Sequence, residues 1–98
     1  MRVFDRIEQK LTTALAPSYL SIIDESDRHH GHADGDSRGE SHFRLVIVSE
    51  RFNGMPQIAR QRMIYDLLRS ELHDQIHALS MQTLTPDEES IVRTSRAL

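Results

Sequence analysis

Cysteine is absent from the 98-residue chain, and this absence limits the chemistry that the chain can perform. Without cysteine there are no disulfides and no thiol nucleophile. A site for a soft metal must therefore use imidazole nitrogens, or borrow thiolates from a partner. Six histidines are available for such a site.

Long apolar runs are also absent. The longest uninterrupted run covers only residues 45–48, far short of the roughly 20 residues that a membrane-spanning helix needs. The first residues are charged and periodic, and Asp5 and Glu8 are among them, so we expect neither a signal peptide nor a transit peptide. These features predict a cytoplasmic protein without a membrane partner.

Charge of one sign is not in large excess, since the formal net charge is -3. The hydrophobic share of 38% and the charged share of 28% are typical of one globular domain. The net charge gives the whole chain no bulk attraction to nucleic acid. The sequence has no nucleophile–base pair, phosphate-binding loop or paired-carboxylate motif, so we expect no enzymatic activity.

Hydrophobic periodicity predicts a single α+β domain over residues 1–98. Residues 42–48 alternate with two largely apolar faces, which is typical of a central strand. Thr85, Pro86 and Glu88 form the start of a capped last helix. The predicted elements are a helix over residues 2–16, strands over 19–25 and 42–48, a turn over 53–56, a helix over 57–73, a strand over 76–84 and a helix over 86–96. This α-β-β-α-β-α order predicts a three-stranded mixed sheet with helices on one face.

The stretch of residues 60–83 changes from helical to strand periodicity. Apolar side chains recur at three- and four-residue spacing as far as Leu72, and Leu79 and Met81 then alternate with polar residues. His77 is in phase with Leu79 and Met81 at the start of the predicted strand. The pattern therefore places a titratable ring at the edge of the core.

Residues 26–40 hold three glycines, no large apolar residue and the histidines His29, His30 and His32. A loop of this length inside a compact domain is more often functional or disordered than merely connecting. This loop joins the first two predicted strands, which can therefore pair antiparallel.

The second and third predicted strands are joined through a helix, which is the crossover of a parallel pair. The third strand then starts at the loop end of the sheet. We therefore expect His42, His73 and His77 at the same end of the sheet as the loop histidines.

Each of these histidines also has a structural interpretation. His42 fits a sheet surface, His73 suits the negative end of a helix dipole, and a lone His77 fits a hydrogen-bonded structural role. The combination of His77 with a facing histidine-rich loop favours a metal site. There is no complete zinc motif, but two imidazoles can hold one iron of a [2Fe–2S] cluster if another molecule supplies thiolates to the other iron.

Over nearly its whole length the chain resembles BolA-type proteins. The resemblance is carried by Asp24-Glu25-Ser26 at the end of the first strand, Glu40-Ser41-His42-Phe43 before and in the second, Val48-Ser49 with Phe52 and Gly54 after it, Arg60, Arg62, Met63 and Tyr65 in the next helix, Ile76-His77-Ala78-Leu79 at the third strand, and Thr85-Pro86 at the last helix. Together this set is highly specific. One departure is Gln61, because family members often carry histidine there.

The resemblance implies a class II KH-like fold and a partner, a monothiol glutaredoxin, which with glutathione shares a [2Fe–2S] cluster with the BolA-type protein. In such pairs one ligand is the histidine of the third strand, and the other is a histidine or cysteine of the loop between the first two strands. Carried over, these are His77 and, as first choice, His32, with His29 and His30 as alternatives. The isolated chain is expected to hold no cofactor tightly and to be a monomer or a weak homodimer.

The resemblance also implies a second role, because family members are described as transcriptional regulators bearing on cell shape and stress. The candidate DNA-binding residues are Arg60, Arg62 and Arg69 in the predicted second helix. A KH-type GXXG clamp is missing, and the alternative interpretation of these arginines is a solvated helix flank.

Overall fold

The computed structural model describes residues 2–25 and 42–97, with side chains described as far as residue 94. The α+β class and the order of strands and helices are confirmed, with the second predicted helix divided in two. The elements are α1 (Val3–Leu15), β1 (Tyr19–Asp24), β2 (His42–Val48), a short 3-10 helix (Glu50–Phe52), α2 (Gln57–Leu67), α3 (Arg69–Asp74), β3 (Ala78–Leu84) and α4 (Pro86–Ala97).

The three strands form one mixed sheet in the order β1-β2-β3. β1 pairs antiparallel with β2, and Tyr19 lies opposite Val48. β2 pairs parallel with β3, and His42 lies opposite Ala78. The prediction that β2 is the central strand is therefore confirmed. The start of β3 lies beside the start of β2, which fixes the end of the sheet where the histidines meet.

The core lies between α1, α2 and one face of the sheet. Phe43, Leu45 and Ile47 alternate along β2 and are all buried. α1 presents a buried residue every four positions, as its helical spacing requires. The other members of the core cluster are Val3, Ile7, Leu11, Leu15, Phe52, Ile64, Leu68 and Ile76. Burial of this apolar stripe holds the helices against β2 and leaves the strand ends to position polar side chains.

A buried serine joins the end of α1 to the end of β2. The Ser49 hydroxyl donates a hydrogen bond to the Leu15 carbonyl at 2.7 Å and accepts one from the Arg51 amide at 3.1 Å. It thereby caps the short helix Glu50–Phe52, which was not predicted from the sequence. The predicted turn follows, where Gly54 has a φ of 78°.

Two predicted boundaries were wrong. The helix expected over residues 57–73 breaks at Leu68, which has φ -103° and ψ 19° but remains buried in the core. The strand expected from residue 76 begins at Ala78, because the Ile76 amide donates to the Glu71 carbonyl at 2.8 Å rather than to a neighbouring strand. Ile76 closes the turn after α3, and His77 therefore precedes β3 instead of lying in it.

Within residues 2–25 and 42–97, none of the helices combines the length and the apolar character needed to cross a bilayer.

Candidate functional site

Two of the predicted histidines are in contact at one end of the sheet. His42 is the first residue of β2, and His77 immediately precedes β3. Because His42 lies opposite Ala78 in the parallel ladder, the residue before Ala78 falls next to the His42 ring. The two ring centroids are 6.2 Å apart, and the rings meet edge to face at 84°. His77 is exposed and His42 is half-buried, so ligands can reach the pair from solvent.

The backbone on both sides of this pair is held by hydrogen bonds. The Glu25 amide donates to the His42 carbonyl at 2.7 Å, which extends the β1–β2 ladder to the site. The Gln75 and Ile76 amides both donate to the Glu71 carbonyl at 2.8 Å. The approach of His42 to His77 is therefore set by the sheet and by the turn after α3.

Glu71 is itself buried, with 2% exposure, and its carboxylate accepts a hydrogen bond from the Lys10 Nζ at 2.8 Å. A buried carboxylate requires such a charged partner, because its transfer from water is otherwise costly. The pair ties α1 to α3, the helix that leads into His77. The burial of Glu71 was not predicted from the sequence, since helical periodicity treats glutamate as a surface residue.

A further ion pair lies beside His42. Arg44 is on the same side of β2, and its guanidinium lies 3.0 Å from the Glu25 carboxylate. The positive charge nearest to His42 along the strand is thus offset by a carboxylate.

The other histidines expected at this end of the sheet are distributed differently. His73 lies in α3, four positions before His77 in the sequence. Its side chain is 84% exposed, and its Nδ1 atom is 2.6 Å from the Asp74 carboxylate. His29, His30 and His32 lie outside the described residues. Among the residues that are described, no group of three or more histidine, aspartate or glutamate side chains is arranged to hold a metal ion.

The predicted DNA-binding role does not fit Arg60, because its guanidinium is engaged inside the protein. Arg60 is only 4% exposed. It donates to the Met55 carbonyl at 2.9 Å, to the Thr83 carbonyl at 3.0 Å and to both carboxylate oxygens of Glu88 at 2.7 and 3.2 Å. A guanidinium with these partners has a structural role and cannot also bind a phosphate.

The Arg60 hydrogen bond is the main reason that the pKa of Glu88 falls from its usual 4.5 to about 2, and the backbone amide of Thr85 adds to the effect. The same carboxylate closes the predicted capping box. The Thr85 amide donates to Glu88 at 2.9 Å, and the Glu88 amide donates to the Thr85 hydroxyl at 3.1 Å. Periodicity and capping rules predicted the box but gave no indication of the arginine.

Arg62 and Arg69 are exposed, as a phosphate contact requires. The Arg69 guanidinium lies 2.8 Å from the Asp66 carboxylate, with side-chain exposures of 78% and 69%. An ion pair this open to water is weak and can be replaced by another anion.

Comparison with known proteins gives a consistent result. Residues 11–88 match the family described as BolA-like protein. The chain is 44% identical over 88 residues to the "DNA-binding transcriptional regulator BolA" of Escherichia coli (strain K12), covering 90% of this chain and 80% of that protein. It is 45% identical over 85 residues to "Protein BOLA1, chloroplastic" of Arabidopsis thaliana, covering 85% of this chain and 53% of that protein.

Solved structures agree with the sequence comparison. "BolA1 from Arabidopsis thaliana" superposes with a TM-score of 0.78 at 44% identity, covering 86% of this chain and 92% of that one. The "BolA domain of SufE1 from Arabidopsis thaliana" gives a TM-score of 0.75 at 45% identity, again over 86% of this chain and 92% of that one.

Proposed function

The chain belongs to the BolA-like protein family, and from this premise we propose that it is a non-enzymatic, cytoplasmic adaptor that shares a [2Fe–2S] cluster with a monothiol glutaredoxin and glutathione. The adaptor would serve iron–sulfur cluster trafficking or iron sensing. The observation that carries the proposal is the exposed His77 at the end of the sheet, with a second imidazole, that of His42, 6.2 Å away between ring centroids.

The chemistry of the available donors fits half of such a cluster. Imidazole nitrogens can hold one iron of a [2Fe–2S] cluster, while the other iron takes thiolates. The chain has no cysteine, so every thiolate must come from the glutaredoxin and glutathione. A cluster held in this way would lie between two proteins, where the exposure of His77 gives the partner access.

His77 is the proposed first ligand, and His32 is the first choice for the second, with His29 and His30 as alternatives. The loop between β1 and β2 begins after Glu25, whose amide is bonded to the carbonyl of His42. Glu25 and His42, the described residues on either side of residues 26–41, therefore both lie at the end of the sheet where His77 lies. This connection supports a loop histidine as the second ligand.

The adaptor role can be tested with purified components. A monothiol glutaredoxin carrying a [2Fe–2S] cluster with glutathione would be titrated with the chain, while ultraviolet–visible absorption and visible circular dichroism are recorded. We expect the spectrum to change and to saturate at one chain per cluster, because imidazole replaces one type of ligand. A cluster spectrum that is unchanged by excess chain would contradict the proposal.

A second function is favoured by a different observation. Relatives that are 44% identical carry the name "DNA-binding transcriptional regulator BolA". In this chain the exposed arginines Arg62 and Arg69 would contact phosphates, and the buried Arg60 would not. We rank this regulator role below the adaptor role, because the net charge of -3 provides little general attraction to DNA.

A further inference from the structure

One side of α2 carries two parallel rows of side chains, because residues four positions apart lie above one another on a helix. The apolar row is half-buried and the charged row is exposed. The apolar row is Ala59, Met63 and Leu67, and the charged row is Ile58, Arg62 and Asp66. A shallow groove follows the two rows, and its described lining belongs to α2 apart from Pro56, which precedes the helix.

The two rows combine apolar surface with one charge of each sign. Ile58 is 57% exposed, and Met63 and Leu67 are half-buried, so covering this side of α2 would remove apolar area from water. Arg62 and Asp66 are both exposed and lie one helical turn apart. The Asp66 carboxylate already contacts Arg69 at 2.8 Å, and a carboxylate can accept hydrogen bonds from more than one donor.

This arrangement of charges is self-complementary in one direction only. If α2 packed parallel to a copy of itself about a two-fold axis, Arg62 would face Arg62 and Asp66 would face Asp66. In the antiparallel arrangement, with the two-fold axis midway between these residues, Arg62 of each copy faces Asp66 of the other. Two equivalent ion pairs then form, as an isologous interface requires, and no like charges are opposed.

The apolar row fits the same two-fold axis. The axis crosses α2 at the level of residue 64, so the Met63 side chains of the two copies lie next to each other. Leu67 of each copy then enters the space between Ala59 and Met63 of the other, where the small Ala59 side chain leaves room. Such interdigitation of rows of residues four apart is a common mode of helix packing.

We propose that the chain forms a weak two-fold homodimer in which α2 packs antiparallel against α2 of a second copy. The size of the surface sets the strength of this dimer. α2 has 11 residues and is therefore about 16 Å long. One face of so short a helix buries less than the roughly 1,200 Å² of a standard stable interface, so the dimer forms only at high protein concentration.

The dimer does not depend on the proposed adaptor role, because neither His42 nor His77 lines the groove. It does bear on the proposed DNA-binding role. The dimer would occupy Arg62, so self-association and DNA binding would compete for this side chain.

Sedimentation equilibrium of the unsubstituted chain tests the proposal, at protein concentrations from about 10 µM to about 1 mM, where weak association is detectable. We expect the mean mass to rise from that of one chain toward that of two. Amide–nitrogen NMR spectra over the same range should show their largest concentration-dependent shifts in α2.

Charge reversal then identifies the pairing. Arg62→Asp opposes two aspartates at each contact, and Asp66→Arg opposes two arginines, so each variant alone should dimerise more than about tenfold more weakly. A mixture of these two variants should associate again, because each contact between unlike chains pairs aspartate with arginine. The double variant Arg62→Asp/Asp66→Arg should recover self-association for the same reason.

The matched control is Arg93→Asp, which makes the same change of charge at an exposed position of α4 and should dimerise like the unsubstituted chain. Thermal unfolding checks that each variant folds, and the NMR shifts of the unsubstituted chain locate the interface independently of any variant. A chain that stays monomeric throughout would overturn the inference, and the groove would then be open to a helix of another protein. Failure of the two reversed variants to associate when mixed would equally overturn it.

Discussion

Arg60 in α2 and Glu88 in α4 form a bidentate ion pair, with nitrogen–oxygen distances of 2.7 and 3.2 Å. The same guanidinium donates to the Thr83 carbonyl in β3. One side chain therefore joins α2, β3 and α4.

Replacing Arg60 with alanine should destabilise the fold. The change leaves the Thr83 carbonyl and the Glu88 carboxylate without their charged donor, so we expect the free energy of unfolding to fall by about 2–3 kcal/mol. Urea denaturation followed by circular dichroism measures the effect. The matched control is Arg69→Ala, which removes an exposed ion pair and should change stability by less than about 0.5 kcal/mol. Equal denaturation midpoints for the two variants would contradict the structural role of Arg60.

The Glu88 carboxylate should make part of the folding stability depend on pH. Its pKa in the folded chain is about 2, below the usual 4.5, so its stabilising effect is complete above pH 4.5 and is lost as the pH falls from about 4.5 through 2. The Glu88→Gln variant should therefore melt at a lower temperature than the unsubstituted chain at pH 7. This difference in melting temperature should shrink as the pH falls from about 4.5 to 2.

Differential scanning calorimetry of both proteins between pH 7 and pH 2 checks this expectation. Asp87→Asn is the control, because Asp87 lies exposed in the same first turn of α4 and experiences the same helix dipole. If the difference in melting temperature between the unsubstituted chain and Glu88→Gln is as large at pH 2 as at pH 7, the ion pair is not its cause.

His77→Ala should affect the shared cluster far more than the fold. The side chain is exposed and precedes β3, so its truncation opens no core, and we expect a change in unfolding free energy below about 0.5 kcal/mol. In the glutaredoxin titration the same variant should no longer alter the visible circular dichroism of the cluster. If His77 had a structural role, its loss would instead lower the melting temperature and leave the cluster spectrum unchanged.

If the chain binds DNA, Arg62 and Arg69 should carry part of the electrostatic contribution. Fluorescence anisotropy of labelled DNA at several salt concentrations would compare DNA binding by the unsubstituted chain with binding by the double variant Arg62→Ala/Arg69→Ala. The double variant should bind all sequences more weakly, and the slope of log K against log salt should fall by about 2, or roughly 0.9 for each lost phosphate contact. Arg93→Ala, a change of an exposed arginine in α4, serves as the control. Unaltered binding by the double variant would exclude α2 and α3 from the interface.

The sequence predicted features that depend on periodicity and local capping. The alternation in β2 identified a central strand, and the spacing of Thr85 and Glu88 identified the start of α4. Topology then predicted that His42 and His77 lie at the same end of the sheet, because a helical crossover makes β2 and β3 parallel.

Features that depend on a single long-range contact were not predicted. Arg60 reads as a surface residue of an amphipathic helix, and only the folded chain supplies the carbonyls and the carboxylate that allow its burial. Leu68 keeps the apolar spacing across the helix break, so periodicity gives no sign of the break. Ile76 is an apolar, β-branched residue of the kind that strands favour, although its amide donates to the Glu71 carbonyl in α3.

The parallel pairing of β2 with β3 also sets the order in which the molecule can assemble. His42 pairs with Ala78 and Val48 with Leu84, so every rung of this ladder joins residues 36 positions apart in the chain. Contacts of such separation require closure of a long loop and therefore slow the folding reaction. In a nascent chain, His42 leaves the ribosome before residue 78 does. At that stage β3, the strand that places His77 beside His42, has not yet formed. The contact between the His42 and His77 rings therefore forms only when β3 has paired with β2.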